Sequence, residues 1–256
     1  MKVAVITGAS SGMGQQFCLK LDGEYDEIWG LALDDTGLKE TEGMLKKSKF
    51  KMISGDLTDE KVIGQYVEML ESEKPDVSFL ANCSGFCKFG SFEEIPLNVS
   101  VSMINLNVTA LVKMCEITIP YMSKGARIVN IASMAGLQPT PYMNVYGASK
   151  AFVLSYSRSL NRELKDKGIV CTCMCPLWTN TKFLSVANET GSKKVSHISS
   201  SYSASDVVER GIMDARKGKD ISIFGTKSFW QRLFVKVTPQ WLIMNIWENQ
   251  QKRGNK

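Results

Sequence analysis

The sequence predicts an α/β protein in which helices cover both faces of one doubly wound, seven-stranded parallel sheet. The first observation is an alternation: short apolar runs recur along the chain with helical patterns between them, the order expected of repeated βαβ units. The second is that several runs consist almost wholly of Val, Ile, Leu and Ala, as strands buried on both faces do. The third is length, because 256 residues suit one α/β domain with a full core.

Seven apolar runs are short enough to be buried strands, and they lie at residues 2–7, 27–33, 50–54, 77–81, 126–131, 169–174 and 220–224. Helices are expected in the gaps, with long ones around residues 97–123 and 145–167. Farther on, Ser203 with Asp206 three residues later predicts a capping pair for the next helix. No internal repeat or linker interrupts this series, so we expect one domain over residues 1–225.

A segment at about residues 182–202 is rich in Gly, Ser, Asn and Lys, and it predicts a lid over a binding site. His197, the single histidine of the chain, lies in this segment and is expected to be a lid or surface residue. No G-x-S-x-G motif accompanies it, which argues against a hydrolase triad.

Residues 226–256 extend past the last predicted strand as two amphipathic helices. Each carries an apolar stripe at helical spacing, the first made of Trp230, Leu233, Phe234 and Val237 and the second, after a start at Thr238-Pro239, of Leu242, Ile243, Ile246 and Trp247. Three places to bury these stripes stay open: the protein's own pocket mouth or core, a sister subunit, or a membrane surface that meets the basic residues Lys227, Arg232 and Lys236. We expect the first of these.

The composition excludes several classes of protein. Hydrophobic residues make up 44% and charged residues 22% of the chain, which argues against disordered, collagen-like and disulfide-scaffold classes. The net charge of +5 is mostly scattered, so we expect no nucleic-acid partner. No apolar run approaches about 18 residues and the N-terminus lacks a signal-peptide cleavage region, so we expect a cytoplasmic protein.

The seven cysteines are expected to be reduced thiols, because an odd number without a secretory signal does not suit a bridged framework. Cys171, Cys173 and Cys175 alternate, which places their sulfurs on one face of a strand about 6 to 7 Å apart. That arrangement suits packing better than tetrahedral coordination, and no metal site is expected.

A glycine-rich turn joins the first predicted strand to the first helix, in the sequence Thr7-Gly8-Ala9-Ser10-Ser11-Gly12-Met13-Gly14. Glycines let the backbone N–H groups of such a turn approach a pyrophosphate, and the helix N-terminus adds partial positive charge. Ser10, Ser11 and Met13 are candidate cofactor contacts on the same turn. By itself the turn is a weak signal, because similar turns join many strands to helices without any ligand.

A second constellation consists of Ser133, Tyr146 and Lys150. Tyr146 and Lys150 are four residues apart, so they share one face of a helix, and a cation there lowers a phenol pKa that starts near 10. Ser133 follows the fifth predicted strand, and the carboxyl ends of parallel strands face the ligand crevice. The set suits acid/base catalysis, although an exposed Tyr and Lys on a solvated helix would show the same spacing.

Together the two constellations resemble those of the short-chain dehydrogenase/reductase family, whose members have a Rossmann fold. The family's TGxxxGxG cofactor turn is matched by Thr7, Gly8, Gly12 and Gly14. Its catalytic tetrad is matched by Asn107, Ser133, Tyr146 and Lys150. The resemblance covers roughly residues 1 to 225. It implies a nicotinamide-dependent oxidoreductase for secondary alcohols or ketones, in which Tyr146 is the proton donor and Lys150 also binds the nicotinamide ribose.

Three further segments are similar to the family's cofactor contacts. The acid that hydrogen-bonds the adenine is matched by Asp56, with Leu57 beside it. The family's NNAG is replaced by a segment that keeps its first and last residues and that implies contacts from Asn82, Ser84 and Gly85. A PGxxxT-like segment implies contacts from Pro176, Thr179 and Thr181. Leu177 replaces the glycine of that motif, which predicts a narrower pocket roof.

The resemblance also bears on the choice between NAD and NADP. Aligned with relatives, neither Leu33 nor Asp34 is the basic residue that NADP-preferring members place after the second strand, and Ser11 is not basic either. A carboxylate accepts hydrogen bonds from ribose hydroxyls and repels a 2′-phosphate, so we expect NAD, with Asp34 as the acid. The alternative is that Asp34 and Asp35 simply cap the helix that follows near Thr36.

The candidate substrate contacts are Ser133, Gln138, Met143, Tyr146 and Trp178, and the expected substrate is an apolar secondary alcohol such as a hydroxysteroid or a bile-acid-like molecule. Two alternatives stay open. One is a ketoreductase for carrier-bound 3-oxoacyl chains, which needs a basic patch beside the pocket, and the other is a non-catalytic NAD-binding sensor or scaffold.

Relatives use the helices around residues 97–123 and 145–167 to form homodimers or homotetramers, and the same is expected here.

Overall fold

The computed structural model describes residues 1–192, 194–196, 198 and 201–254, apart from the side chain of Arg253. These residues form nine strands, which are β1 (Lys2–Thr7), β2 (Glu27–Ala32), β3 (Lys49–Ser54), β4 (Asp76–Asn82), β5 (Arg127–Ile131), β6 (Val170–Met174), β7 (Thr179–Asn180), β8 (Tyr202–Ser203) and β9 (Ile221–Ser222). Seven of them build one sheet in the order β3-β2-β1-β4-β5-β6-β9, and every neighbouring pair is parallel. The strand order reverses between β1 and β4, and ligands of such sheets bind at that reversal, outside the carboxyl ends of the strands.

The seven predicted strands are confirmed, each to within two residues at either end. Every residue of β2 is buried, and β1 is buried from its second residue onward. Strands covered on both faces need no alternation of polar and apolar residues, which is why continuous apolar runs predicted them.

Ten α-helices occur in the described part of the chain: α1 (Gly12–Leu21), α2 (Asp35–Met44), α3 (Glu60–Glu73), α4 (Leu97–Ile104), α5 (Leu111–Thr118), α6 (Asn144–Glu163), α7 (Phe183–Asn188), α8 (Ala204–Arg216), α9 (Thr226–Val237) and α10 (Gln240–Gly254). Helices α3, α5 and α6 pack on one face of the sheet, and α1, α2 and α8 pack on the other. The doubly wound, single-domain α/β fold with a helical tail is therefore confirmed.

Helices α4 and α5 are joined into one continuous run by a π-helical segment, Asn105–Ala110. By length and composition alone, the run Leu97–Tyr121 would be able to cross a membrane. It contributes Met103, Leu111 and Met114 to the buried core, as a core helix of a folded domain does. The π-helical turn is the kind of irregularity that often marks a functional site.

Strands β7 and β8 form a small second sheet that the sequence did not indicate, because two-residue strands carry no readable periodicity. Thr179 pairs with Tyr202, so this sheet holds together the two ends of the predicted lid segment.

Ser203 is the N-cap of α8, but the predicted capping pair with Asp206 is wrong. The Ser203 side chain is exposed at the end of β8 and makes no capping hydrogen bond. His197, predicted to be a lid or surface residue, lies outside the described residues.

The alternating cysteines pack as small apolar side chains. Cys171, Cys173 and Cys175 are buried in the core layer that contains α6, and the sulfurs of Cys173 and Cys175 are 3.9 Å apart. Cysteine is among the residues most often fully buried, and the packing role predicted for these three thiols agrees with their positions.

Candidate active site

The turn after β1 has a backbone that its glycines permit. Gly8 and Gly12 lie in the left-handed region, with φ of 67° and 55°, which residues with a Cβ rarely adopt. Gly14 lies so close to the turn that a Cβ on it would come 2.1 Å from the Gly8 carbonyl oxygen. The turn is therefore packed tightly against the first residues of α1.

The N-terminus of α1 fits the pyrophosphate of a dinucleotide. Ser11 is the N-cap with an extended backbone, and its side chain makes no capping hydrogen bond. The first-turn N–H groups of a helix have no partner within the helix, so here they are offered to a ligand. Thr181 lies against the same turn, with its Cγ2 3.3 Å from where a Cβ of Gly12 would be. Two cofactor segments predicted from distant parts of the sequence thus flank one site.

The loop after β4 is fixed to the glycine turn by Thr7. Its hydroxyl accepts hydrogen bonds from the N–H groups of Cys83, at 2.9 Å, and Ser84, at 3.1 Å. Asn82 is the last residue of β4, just before this loop. Its buried amide donates to Asn130 Oδ1 at 2.8 Å and ties β4 to β5. The predicted cofactor contact of Asn82 is therefore left to its backbone.

Asp34, the carboxylate predicted to bind the cofactor ribose, caps helix α2. Asp34 is the N-cap of α2, and its Oδ1 accepts a hydrogen bond from the Gly37 N–H at 3.1 Å. Asp35 does not cap the helix and instead forms a salt bridge with Lys39 at 2.7 Å. The capping alternative is thus confirmed for Asp34, whose second carboxylate oxygen is still available to a ligand.

Asp56 and Leu57 follow β3 at the same edge of the sheet. Asp56 Oδ1 accepts hydrogen bonds from the N–H and the hydroxyl of Thr58, both at 2.8 Å, which orients the carboxylate. The Leu57 side chain is buried in the core, so only its backbone can face a ligand.

Asn107 lies on the π-helical segment and is fully buried. Its Nδ2 donates to the Phe86 carbonyl at 3.0 Å and to the Ser149 hydroxyl at 3.2 Å, which joins the loop after β4 to α6. A Cβ on Gly85 would lie 2.8 Å from Asn107 Oδ1 and 3.4 Å from Lys150 Nζ. The amide oxygen and the ammonium group therefore converge on one point beside the crevice.

The other three predicted catalytic residues line a single cavity: Ser133, Tyr146 and Lys150. Lys150 Nζ donates to the Ile131 carbonyl at 2.8 Å and lies 5.7 Å from the centre of the Tyr146 ring. Ser133 follows β5, and its Oγ accepts a hydrogen bond from the Ala135 N–H at 3.1 Å. The carboxyl end of β5 and the first turns of α6 thus position the acid/base group.

Burial governs the protonation of this group. It raises the pKa of Tyr146 above the usual value near 10, and a hydrogen bond with Ser133 opposes that rise only in part. It also lowers the pKa of Lys150 to about 8. The sequence predicts that Lys150 lowers the pKa of Tyr146. In the structure burial raises the pKa of Tyr146 instead, and the Lys150 ammonium group is directed to the Ile131 carbonyl, so the phenol is neutral at pH 7.

The cavity beside the tetrad has a volume of about 540 Å³. Its wall includes the predicted substrate contacts Gln138, Met143 and Trp178. On the crevice side, the wall includes the predicted cofactor contacts Met13, Gly85, Pro176, Thr179 and Thr181, and also Leu177, which replaces the family glycine. Among the described residues of the wall, Lys150 is the only charged one.

Sequence reasoning missed part of this wall. Helix α7 contributes Phe183, whose ring centre is 5.5 Å from that of Tyr146, and Leu184. The tail contributes Trp230, Gln231, Phe234, Val235, Ile243, Ile246, Trp247 and Gln250. The apolar stripes predicted that the tail lies at the pocket mouth or core, and five of their residues do line the cavity: Trp230, Phe234, Ile243, Ile246 and Trp247. The other tail residues of the wall were not predicted.

Two sets of hydrogen bonds hold α10 over the cavity. Trp247 Nε1 donates to the Pro141 carbonyl at 3.0 Å, which ties α10 to the loop before α6. The Ser196 N–H donates to Gln251 Oε1 at 3.0 Å, and the Ser196 hydroxyl donates to the Gln251 carbonyl at 3.1 Å. The predicted burial of the tail at the pocket mouth is therefore confirmed for α10, which is tied to the cavity wall and to the predicted lid segment. It is wrong for α9, whose apolar stripe is exposed even though Trp230 and Phe234 also line the cavity.

The fold is that of a dinucleotide-binding α/β protein, and a serine, a tyrosine and a lysine meet in the cavity beside its glycine turn. Residues 2–192 match the family model described as short chain dehydrogenase. The chain therefore belongs to the short-chain dehydrogenase/reductase family, as its motifs indicate.

Two relatives are similar in sequence to most of the chain. A ketoacyl reductase from Nostoc sp. is 26% identical over 215 residues, which cover 82% of this chain and 75% of the relative. A very-long-chain 3-oxoacyl-CoA reductase from Anas platyrhynchos is 31% identical over 205 residues, which cover 72% of this chain and 62% of the relative.

Solved structures share the fold over nearly the whole chain. A short-chain dehydrogenase from Sphingobium yanoikuyae in complex with NADPH has a TM-score of 0.79 at 24% identity, covering 91% of this chain and 92% of that one. A family member from Burkholderia phymatum in complex with NAD has a TM-score of 0.80 at 22% identity, with the same coverage. A bulky-bulky ketone specific alcohol dehydrogenase from Comamonas testosteroni has a TM-score of 0.75 at 25% identity, covering 94% of this chain and 96% of that one.

Proposed function

We propose that this chain interconverts a secondary alcohol and the corresponding ketone with a nicotinamide cofactor, and that its substrate is large, apolar and uncharged. The observation that carries the proposal is the meeting of Ser133, Tyr146 and Lys150 on one cavity wall, next to the crevice formed by the glycine turn. A non-catalytic sensor or scaffold has no need of a complete acid/base group in that place.

Each residue of the tetrad has a task in this proposal. A nicotinamide bound in the crevice supplies or accepts the hydride. Ser133 donates a hydrogen bond to the substrate oxygen, and the neutral phenol of Tyr146 gives its proton to that oxygen in the reducing direction. Lys150 binds the ribose, and solvent between its ammonium group and Asn107 Oδ1 returns the proton to Tyr146. The convergence of those two atoms beside Gly85 supports this route.

The preferred cofactor in the proposal is NAD. The rim after β2 carries Asp34 and Asp35, and Lys39 is held by Asp35. A 2′-phosphate placed at this rim would meet carboxylates, whereas ribose hydroxyls could donate to the second oxygen of Asp34. Related structures bind NADPH as well as NAD, so the preference rests on this charge pattern alone.

The substrate class follows from the chemistry of the wall. Aromatic and aliphatic side chains dominate it, and the amides of Gln138, Gln231 and Gln250 supply neutral hydrogen-bonding groups. Pockets of this kind take apolar ligands that a few polar groups orient. A hydroxysteroid or a ketone with two bulky substituents fits this description, and the alcohol dehydrogenase from Comamonas testosteroni supports the second.

An activity screen tests the proposal. The full chain is assayed with NAD and with NADP against a panel of secondary alcohols, sterols and bulky ketones, and cofactor absorbance is followed. We expect turnover with apolar members of the panel and none with charged ones. Absence of turnover across the panel, with cofactor binding shown by calorimetry, would favour the sensor or scaffold.

A second candidate is a ketoreductase for 3-oxoacyl thioesters, which the names of the two sequence relatives favour. One structural feature also favours it. A groove next to α9 is lined by the basic residues Arg158, Arg162, Lys165, Arg210, Lys219 and Arg232 and by the acidic residues Glu163, Asp214 and Asp220. Asp220 pairs with Arg158, and Asp214 pairs with Arg210 and Lys219, but the basic residues outnumber the acidic ones. Such a groove suits the phosphates of a carrier. Faster turnover of a 3-oxoacyl-CoA than of the matching free ketone would decide for this candidate.

We also propose that the chain forms a homodimer or homotetramer. Val101 and Ile104 on α4 and Phe152 on α6 are apolar and exposed on helices that neighbour one another, and Phe152 stacks on Tyr156 at 6.0 Å. Faces of this kind are commonly covered by another subunit. Light scattering at micromolar concentration is expected to show a mass at least twice 28.4 kDa, and a monomer of 28.4 kDa would contradict the proposal.

A further inference from the structure

Helix α9 carries its apolar residues on the side that faces away from the domain. At 3.6 residues per turn, one arc of about 140° contains Phe229, Trp230, Leu233, Phe234 and Val237. All five are exposed, Val237 by 81% and Trp230 by 67%, while Ser228 on the opposite side is fully buried. A helix at a water-facing surface has the reverse arrangement. We call this arc the α9 face.

Cations border the α9 face. Lys227 and Lys236 fall at its two edges and are exposed, and Arg232 follows next to Lys236 around the helix. The sequence contains no Asp or Glu between Asp220 and Glu248. A helix that combines an apolar arc with a basic rim and has no carboxylate of its own has the pattern of a helix that lies in the interface of an anionic bilayer.

The α9 face is continuous with the mouth of the active-site cavity. Trp230 and Phe234 belong to both, because each is exposed and each also lines the cavity. Trp241, at the start of α10, is 62% exposed and extends the apolar surface. Whatever covers this surface therefore lies at the place where a substrate enters.

We infer that the α9 face and the start of α10 dock on an anionic phospholipid bilayer, with the cavity mouth at the lipid boundary. A second copy of the chain is a poorer occupant. A two-fold interface brings the same patch against itself, so the basic rim of one copy would meet the basic rim of the other, and α9 itself supplies no carboxylate to offset these charges. The inference rests on this surface and not on the proposed reaction.

Vesicle co-sedimentation of the full chain tests the inference. Vesicles of phosphatidylcholine alone are compared with vesicles that contain about 30 mol% phosphatidylglycerol, at low salt and at about 1 M salt, where the Debye length falls to about 3 Å. We expect binding to the anionic vesicles, with a blue shift of tryptophan fluorescence, and release at high salt.

Two variants locate the contact. Val237→Asp places a carboxylate in the centre of the α9 face and is expected to weaken vesicle binding at least about tenfold. Leu97→Ser changes an equally exposed apolar residue, 80% exposed on α4, and is expected to leave binding unchanged. Circular dichroism and cofactor affinity check that both variants are folded.

Three results would overturn the inference. The first is that the intact chain does not sediment with anionic vesicles. The second is that Val237→Asp binds as tightly as the unchanged chain. The third is that Val237→Asp abolishes a concentration-dependent dimer seen without lipid, which would assign the α9 face to a second copy.

Discussion

The cofactor crevice and the cavity wall opposite it are built in different ways. The crevice uses backbone and short polar side chains, such as the glycine turn and Thr7, each fixed by contacts between strand ends. The far wall uses large apolar side chains of the tail, such as Phe234 and Trp247, which are fixed by their packing and by the bond from Trp247 to Pro141. The first construction tolerates few residue types, whereas the second requires only that each residue be large and apolar.

This difference indicates which part of the site determines the reaction and which part determines the choice of substrate. A backbone cradle and a tetrad set the reaction, because both need particular atoms at particular places. An apolar wall sets which substrate enters, because its total shape matters more than any one residue. Changes in the crevice should therefore affect every substrate, and changes in the far wall should affect only some.

The largest effect on turnover is expected for a substitution in the tetrad, beside the cofactor crevice. Tyr146→Phe removes the proton donor and should lower the turnover rate by roughly 100-fold or more, while the affinity for NAD(H) stays nearly constant. Rate assays with calorimetric cofactor titration measure both quantities. Tyr156→Phe is the matched control, because Tyr156 lies on the same helix and does not line the cavity. A Tyr146→Phe variant that keeps more than about a tenth of the rate would remove Tyr146 from this role.

Cofactor preference is the next largest effect. We expect kcat/KM with NAD to exceed that with NADP by at least about tenfold, or roughly 1.4 kcal/mol. Asp34→Ser keeps an N-cap residue for α2 and removes the charge. It should therefore raise kcat/KM with NADP and reduce the preference for NAD, while α2 stays folded. Equal rates with both cofactors in the unchanged protein, or a preference for NADP that survives Asp34→Ala, would show that the rim does not select NAD.

The pH dependence of stability tests the burial of Lys150. Its folded-state pKa of about 8 is below the unfolded value of 10.5, so between these values the unfolded chain binds more protons. Stability should therefore rise with pH across this window, by at most about 1.4 kcal/mol per pH unit from this group. Denaturant unfolding of the cofactor-free protein at pH 8 and 9 is compared with that of Lys150→Met. If both proteins respond identically, burial does not perturb this lysine.

The same comparison explains how far the sequence predicts the molecule. The seven strands, the tail helices and the meeting of Ser133, Tyr146 and Lys150 follow from local patterns, since strand ends and a four-residue helical spacing bring those residues together. The hydrogen bond between the Asn82 amide and Asn130 could not be predicted, because sequence does not show which way a side chain points at the end of a buried strand. Phe183 and the tail residues Gln231 and Gln250 were missed because their contacts join segments far apart in the chain. No periodicity encodes such contacts.

The most direct measurement compares kcat/KM for a series of ketones of increasing size in Phe234→Ala, Val237→Ala and the unchanged protein. Phe234 lines the cavity and is half exposed, whereas Val237, three residues along α9, does not line it. We expect Phe234→Ala to lower kcat/KM several-fold for the largest ketones only, by the loss of about 1 kcal/mol of apolar contact. The smallest ketone, the KM for NADH and every value for Val237→Ala should stay unchanged. An equal loss for all ketones, or no loss for any, would contradict the division between a crevice that sets the reaction and a tail that sets the substrate.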